Sequence, residues 1–211
     1  MTAVAASGVA GAAMIRGVEV QAKSSIGVDE AIRELTAGNE RFVAGKLTSF
    51  DLDLKILRER TVEKQEPFAA ILSCADSRVP AELVFDQSIG HLFVTRVAGN
   101  MITPEIIGSL EYGVAVLGVK VILVLGHAKC GAVSAAMKAQ EVPGQISVLY
   151  QHIVPAIREI EDVESAVKAN ARFQASLLRE SSTVIAKAIK DDGLRVAAGY
   201  YDLGTGKVTV L

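Results

Sequence analysis

Between Gly118 and Gly126 the chain reads Val119-Lys120-Val121-Ile122-Leu123-Val124-Leu125 and continues into His127. From Val121 onward this run is wholly β-branched or aliphatic and has no polar face to give to water. It fits a strand buried on both sides, which is the environment of a parallel sheet covered by helices. Parallel strands need crossover connections, and the flanking sequence supplies them. Thr103-Pro104 opens a helix, with Thr as N-cap and Pro at the first helical position, that runs to near Gly118. Gly131–Ala139 reads as the helix after the buried run.

The same alternation extends both ways. Val28, Ala31, Ile32, Leu35, Phe42 and Val43 share one helical face, with Asp29 and Glu30 early and Lys46 late, as the helix dipole favours. A more polar helical stretch follows around Leu52–Glu63; then Pro67 punctuates, and Phe68–Leu72 reads as a short buried strand. His91–Val97 is the next strand. Downstream, Val148–Ile160 and Ser165–Lys190 read as helices around a break near Asp162, and strands at Leu194–Tyr201 and Lys207–Leu211 flank a turn at Gly204-Thr205-Gly206. The expected class is α/β: a central parallel β-sheet of about four strands plus an edge strand, covered by helices. No internal repeat or linker divides the chain. We expect residues 1–27 to form an N-terminal arm or the remnant of an export signal, and 28–211 a single domain.

Sheets of this kind carry their sites at the carboxyl ends of the strands. Cys74, in Ser73-Cys74-Ala75-Asp76-Ser77-Arg78, follows one strand in that way, and His127, in Gly126-His127-Ala128-Lys129-Cys130-Gly131, follows another. Both cysteines of the chain therefore lie in metal-ligand contexts. Two thiolates and an imidazole suit Zn²⁺, and three protein ligands leave a position where water is activated. Cys130 falls near the start of a helix, where the dipole favours a thiolate. The competing expectations are a Cys74–Cys130 disulfide or two small buried hydrophobes. Asp76 and Arg78, an acid and a guanidinium directly after an apolar run, weigh against a plain core strand.

Composition excludes other classes. A chain of 211 residues with 50% hydrophobic residues can bury one full core, and its net charge of −2 gives no general drive toward nucleic acid. No apolar stretch reaches the ~20 residues that span a bilayer. Met1 to Met14 carry no charge and are nearly all Ala, Gly, Val, Ser and Thr. They fit either the apolar middle of an export signal, implying a periplasmic protein, or an arm that clasps a partner, compatible with a cytoplasmic one.

With these residues in view, the chain resembles the β-class carbonic anhydrases. Their Cys-x-Asp-x-Arg signature is matched by Cys74, Asp76 and Arg78, and their His-x-x-Cys by His127 and Cys130. The likeness extends through Phe85-Asp86-Gln87, Gly90 to Asn100, Gly108 to Tyr112, and Tyr201-Asp202. The resemblance implies one zinc on Cys74, His127 and Cys130, with Asp76 and Arg78 as a dyad beside the reacting water. It implies reversible hydration of carbon dioxide to bicarbonate, in a homodimer wrapped by N-terminal helices that often pairs into tetramers. By likeness to the plant-type branch, Gln65 contacts substrate across the dimer boundary, Phe93 and Tyr112 line the pocket, and Gly131 offers a backbone N–H. Ile71 stands where a regulated branch places a tryptophan, so its noncatalytic bicarbonate site is not expected, although Arg96 and Tyr201 match it.

Two thiolates cancel the zinc charge, so activity is expected to rise with pH; at low pH Asp76 itself would occupy the open position. His91 reads as a turn or surface residue and His152 as a helix-face residue, with proton transfer a secondary role for either. A carbonyl sulfide or carbon disulfide hydrolase would share this fold and metal, and a noncatalytic scaffold would share the fold alone. A thiol redox role lacks a Cys-x-x-Cys.

Overall fold

The computed structural model describes residues 24–48, 59 and 61–211. Five strands form one sheet: β1 Ala69–Ser73, β2 Leu92–Arg96, β3 Val121–His127, β4 Arg195–Tyr201 and β5 Val208–Val210. Their order is β2-β1-β3-β4-β5, with every pairing parallel except the antiparallel β4–β5 edge. Seven α-helices accompany them among the described residues: α1 Val28–Val43, α2 Ala81–Val84, α3 Pro104–Ala115, α4 Gly131–Met137, α5 Tyr150–Ile157, α6 Val163–Ser181 and α7 Thr183–Asp192.

Every residue of β1 and β3 is buried, as the apolar run predicts. Alternate side chains serve two cores. Ala70, Leu72, Ile122 and Val124 pack with Leu110 of α3, Ala171, Ala175 and Leu178 of α6 and Ile185 of α7. Ala69, Ile71, Val121, Leu123 and Leu125 pack on the opposite face with Ala31 and Leu35 of α1 and Val84 of α2. Ile71, Leu72, Ile122 and Leu125 are fully buried, and each such side chain contributes about 1.5–3 kcal/mol by transfer from water.

Helix α1 lies against its own subunit. Gly38 meets α2 so closely that a Cβ there would sit 1.8 Å from the Phe85 carbonyl oxygen. Buried Asn39 donates to the carbonyls of Val84 (3.0 Å) and Gly206 (2.9 Å) and accepts from the Val208 N–H (2.8 Å), joining α1 to α2 and to the β4–β5 turn. Arg41, not Lys46, is the basic residue of its last turn; it pairs with Asp86, which also accepts from the Thr48 N–H and hydroxyl.

The boundaries differ from expectation where capping decides them. Thr103 does cap α3, its Oγ1 accepting from the Ile106 N–H, and Pro104 is the first helical residue. The helix expected over Val148–Ile160 is instead a 3-10 turn, Gly144–Leu149, followed by α5. The stretch Ser165–Lys190 breaks at Ser182, whose extended backbone ends α6 and whose Oγ accepts from the Ile185 N–H (3.0 Å) to start α7. Helix α2, too short for a periodic signal, is an element the sequence pattern does not reveal. The polar helical stretch around Leu52–Glu63 lies largely outside the described residues, as do residues 1–23 of the segment expected as an arm or signal remnant. No helix among the described residues is long and apolar enough to cross a membrane.

Candidate metal centre

Because Ser73 of β1 pairs with Leu125 of β3, the residues just beyond, Cys74 and His127, emerge side by side at the carboxyl edge of the sheet. Gly126 allows this: a Cβ there would lie 2.8 Å from Val167 Cγ1, so α6 approaches β3 closely just before His127. Lys129 then adopts a left-handed backbone (φ +54°), which folds the chain back and delivers Cys130 to the N-cap of α4. A cluster including Val133, Ala136, Ile153, Ile157 and Val167 encloses both cysteines.

The Cys74 and Cys130 sulfurs and a ring nitrogen of His127 all lie within 4.8 Å of one another, and all three residues are buried. Both thiols are free, so the disulfide is ruled out. His127 Nδ1 lies 2.9 Å from the Ala128 carbonyl oxygen; a carbonyl only accepts, so Nδ1 carries the proton and Nε2 presents its lone pair. That Nε2 is buried without a hydrogen-bond partner, which costs free energy unless a cation uses it. The donor set fits zinc: about 2.3 Å to sulfur and 2.0–2.1 Å to nitrogen require tetrahedral ligands this close together.

The two sulfurs share a hydrogen bond, and it shifts their acidities in opposite directions. A hydrogen bond from Cys130, assisted by the Gly99 and Asp76 backbone, outweighs burial and holds Cys74 down to about 4. Cys130 is correspondingly held high, first by that shared hydrogen bond and then by burial and the Cys74 charge. The Val133 and Ala132 N–H groups pull the other way. The helix start therefore does not by itself make Cys130 the thiolate, because the hydrogen bond shared with Cys74 and burial outweigh it.

Asp76 and Arg78 lie beside the ligand cluster on its more exposed side. The Asp76 carboxylate accepts from Arg78 three times, at Oδ1 from the backbone N–H and Nε (both 2.9 Å) and at Oδ2 from Nη2 (2.7 Å). These bonds keep it ionised, well below the usual carboxylate range. Oδ2 also lies 3.9 Å from His127 Nε2. Arg96 contributes a brace that the motifs do not reveal: its Nε donates to the Cys74 carbonyl (3.0 Å) and its Nη2 to that of Asp76 (2.5 Å). Its sequence clues are its residue type, its position at the end of β2 and its match to the noncatalytic site of the regulated branch.

The remaining residues are more scattered. Phe93 of β2 and Tyr112 of α3 form a ring pair with centroids 6.2 Å apart, and Tyr112 is 44% exposed. Gly131 is the first residue of α4, next to Cys130. Gln65 is exposed on the segment leading into β1. His91 is exposed, with Nδ1 3.3 Å from Gln87 Oε1, and His152 is half-buried on α5. Ile71 is fully buried in the core.

Comparison with known proteins agrees with this geometry. Residues 69–208 match the sequence model of the family described as carbonic anhydrase. The chain is 35% identical over 189 residues to carbonic anhydrase 2 of Mycobacterium tuberculosis, covering 85% of this chain and 91% of that one. It is also 35% identical over 187 residues to the carbonic anhydrase of Mycolicibacterium smegmatis, covering 84% and 90%. In fold it resembles the β-carbonic anhydrase CafA of Aspergillus fumigatus, with a TM-score of 0.67 and 24% identity over 83% of this chain and 88% of that one. A β-carbonic anhydrase of Sordaria macrospora, described as tetrameric, gives a TM-score of 0.64 and 23% identity over 86% and 97%. With the paired cysteine and histidine motifs assembled at one sheet edge and these relatives spanning nearly the whole domain, the chain belongs to the β-class carbonic anhydrase family.

Proposed function

We propose that this protein catalyses the reversible hydration of carbon dioxide to bicarbonate and a proton, with one Zn²⁺ per chain held by Cys74, His127 and Cys130. The carrying observation is the buried set of two sulfurs and an unpartnered His127 Nε2 beside an ionised Asp76. Zinc, when bound, supplies the Lewis acidity that makes water nucleophilic near neutral pH.

The chain's own groups do the rest. A carboxylate offers about four lone-pair sites. Arg78 occupies both on Oδ1 and one on Oδ2. The site left free belongs to Oδ2, the oxygen nearer His127 Nε2. There Asp76 accepts a hydrogen bond from the reacting water and aims its lone pair at the carbon of carbon dioxide. Arg78 keeps the carboxylate charged and fixed, and Arg96 holds the backbone that carries it. Phe93 and Tyr112 form an apolar wall for the substrate, the Gly131 N–H hydrogen-bonds bicarbonate, and Gln65 reaches the site of a neighbouring subunit. This assigns the protein to a homodimer or tetramer. Residues 28–211 form the catalytic unit, to which residues 1–27 are appended as an arm or a signal remnant.

Hydrolysis of carbonyl sulfide or carbon disulfide gains no support from relatives that are named carbonic anhydrases. Stopped-flow carbon dioxide hydration combined with metal analysis tests the proposal. About one zinc per chain and turnover lost in Cys130→Ala are expected. Full zinc occupancy in that variant, or a zinc-loaded parent that does not hydrate carbon dioxide, would overturn it.

A further inference from the structure

Outside both motifs, a backbone N–H from a separate segment of the chain reaches a ligand sulfur. The Gly99 N–H donates to Cys74 Sγ at 3.4 Å. Gly99 lies in the connection between β2 and α3, with φ +78°, and a Cβ there would lie 2.6 Å from Ile153 Cδ1. Backbone in that left-handed region holds its direction only when surrounding contacts fix it.

The fixing contacts come from α6. Asn170 and Gln174, one helical turn apart, are both fully buried. Gln174 Oε1 accepts from the Ile102 N–H (2.9 Å), which assigns its amide: Nε2 must then be the group donating to the His152 carbonyl (2.8 Å) and to Asn170 Oδ1 (3.1 Å). With its oxygen so engaged, Asn170 turns Nδ2 to the Gly99 carbonyl at 2.9 Å. Each amide orientation is dictated by its neighbour. The result is a polar chain inside an otherwise apolar helix face, gripping both ends of the segment from Gly99 to Ile102. A buried pair of this kind, replaceable by apolar side chains if packing were its only task, marks a positional role.

We infer that Asn170 and Gln174 are positioning residues of the metal centre, holding the Gly99 N–H on Cys74 Sγ and thereby limiting how strongly that sulfur donates to the metal. The inference rests on the proposed zinc site. An N–H bonded to a thiolate withdraws electron density from sulfur, leaving a more electrophilic metal. Groups of this kind outside the ligand shell typically change metal affinity or activity by about 10- to 100-fold.

Cobalt(II) substitution separates the possibilities, because thiolate-to-cobalt charge transfer reports sulfur donor strength directly. Asn170→Leu and Gln174→Met, each shape-matched and apolar, are expected to move that band to longer wavelength and to lower turnover about 10- to 100-fold. Gly99→Ala, which displaces the same N–H, should move it in the same direction. Leu178→Ala, a buried apolar position on the same helix that makes no hydrogen bond to the segment from Gly99 to Ile102, is expected to lower thermal stability without moving the band. If one of the amide variants fails to fold, the other together with Gly99→Ala decides the question. A band unmoved in the folded variants, or moved as far by Leu178→Ala, would reduce the pair to packing while leaving the zinc site intact. A parent protein that gives no thiolate-to-cobalt band would overturn both.

Discussion

Replacing Asp76 by Asn keeps the size of the side chain and removes one acceptor atom. In the native site Arg78 takes three of the carboxylate's acceptor positions, at 2.9, 2.9 and 2.7 Å. An Asn amide has a single oxygen. With that oxygen toward the Arg78 N–H and Nε, the amide NH₂ faces Arg78 Nη2 and offers the water a donor where an acceptor is needed. Flipped, it leaves the two Arg78 donors facing NH₂. Neither arrangement both anchors the side chain and orients the water. Loss of a preorganised hydrogen bond to a transition state costs ~2–4 kcal/mol, or roughly 30- to 900-fold in kcat. Folding stability should hardly change, because the Arg78 side chain is 52% exposed and exposed ion pairs contribute little. The assay is stopped-flow hydration across about pH 7 to 9, with metal content and thermal melting measured on the same samples. Arg78 keeps Asp76 ionised far below this range, so the rise of activity with pH belongs to another group and should persist, at reduced amplitude, in Asp76→Asn. A variant that retains zinc and stays within about threefold of the parent kcat would refute the orienting role.

Three further outcomes follow from the fold. Asn39→Ala leaves the Val84 and Gly206 carbonyls and the Val208 N–H without their partner; urea unfolding should show a loss of ~1–3 kcal/mol or more, and an unchanged midpoint would mean that α1 is not anchored there. Gly38→Ala places a methyl group against the Phe85 carbonyl and should cost ~1–3 kcal/mol by the same measurement, since backbone cannot step aside as a side chain can. Asp162 caps α6, and its bond from the Ser165 N–H holds its pKa below the ordinary value. Its folded pKa is depressed, so its contribution is present above the unfolded pKa and lost as pH falls through the folded one. Urea midpoints of Asp162→Asn measured from about pH 5 down to 2 should therefore fall less steeply than the parent's; parallel curves would reject the cap as a source of acid lability.

The parallel sheet was legible because its central strand carries no polar residue from Val121 to Leu125, and burial on both faces is the one environment that tolerates this. The site was legible because its chemistry depends on residue types at short spacing: Cys74, Asp76 and Arg78 on one turn, His127 and Cys130 on another. Such signals are local, and sequence displays local relations directly. What the sequence alone did not disclose is long-range. Arg96 bracing the Cys74 and Asp76 carbonyls, Asn39 joining α1 to the β4–β5 turn across 167 residues, and Asn170 reaching the Gly99 carbonyl across 71 are ordinary polar residues until packing brings their partners within hydrogen-bond distance. The proton balance between Cys74 and Cys130 likewise follows from their separation and burial. Residue identity determines which ligands and charges are available; only the tertiary structure decides which buried amides and carbonyls must satisfy one another, because hydrogen bonds act over a few ångströms and the chain brings them together from anywhere along its length.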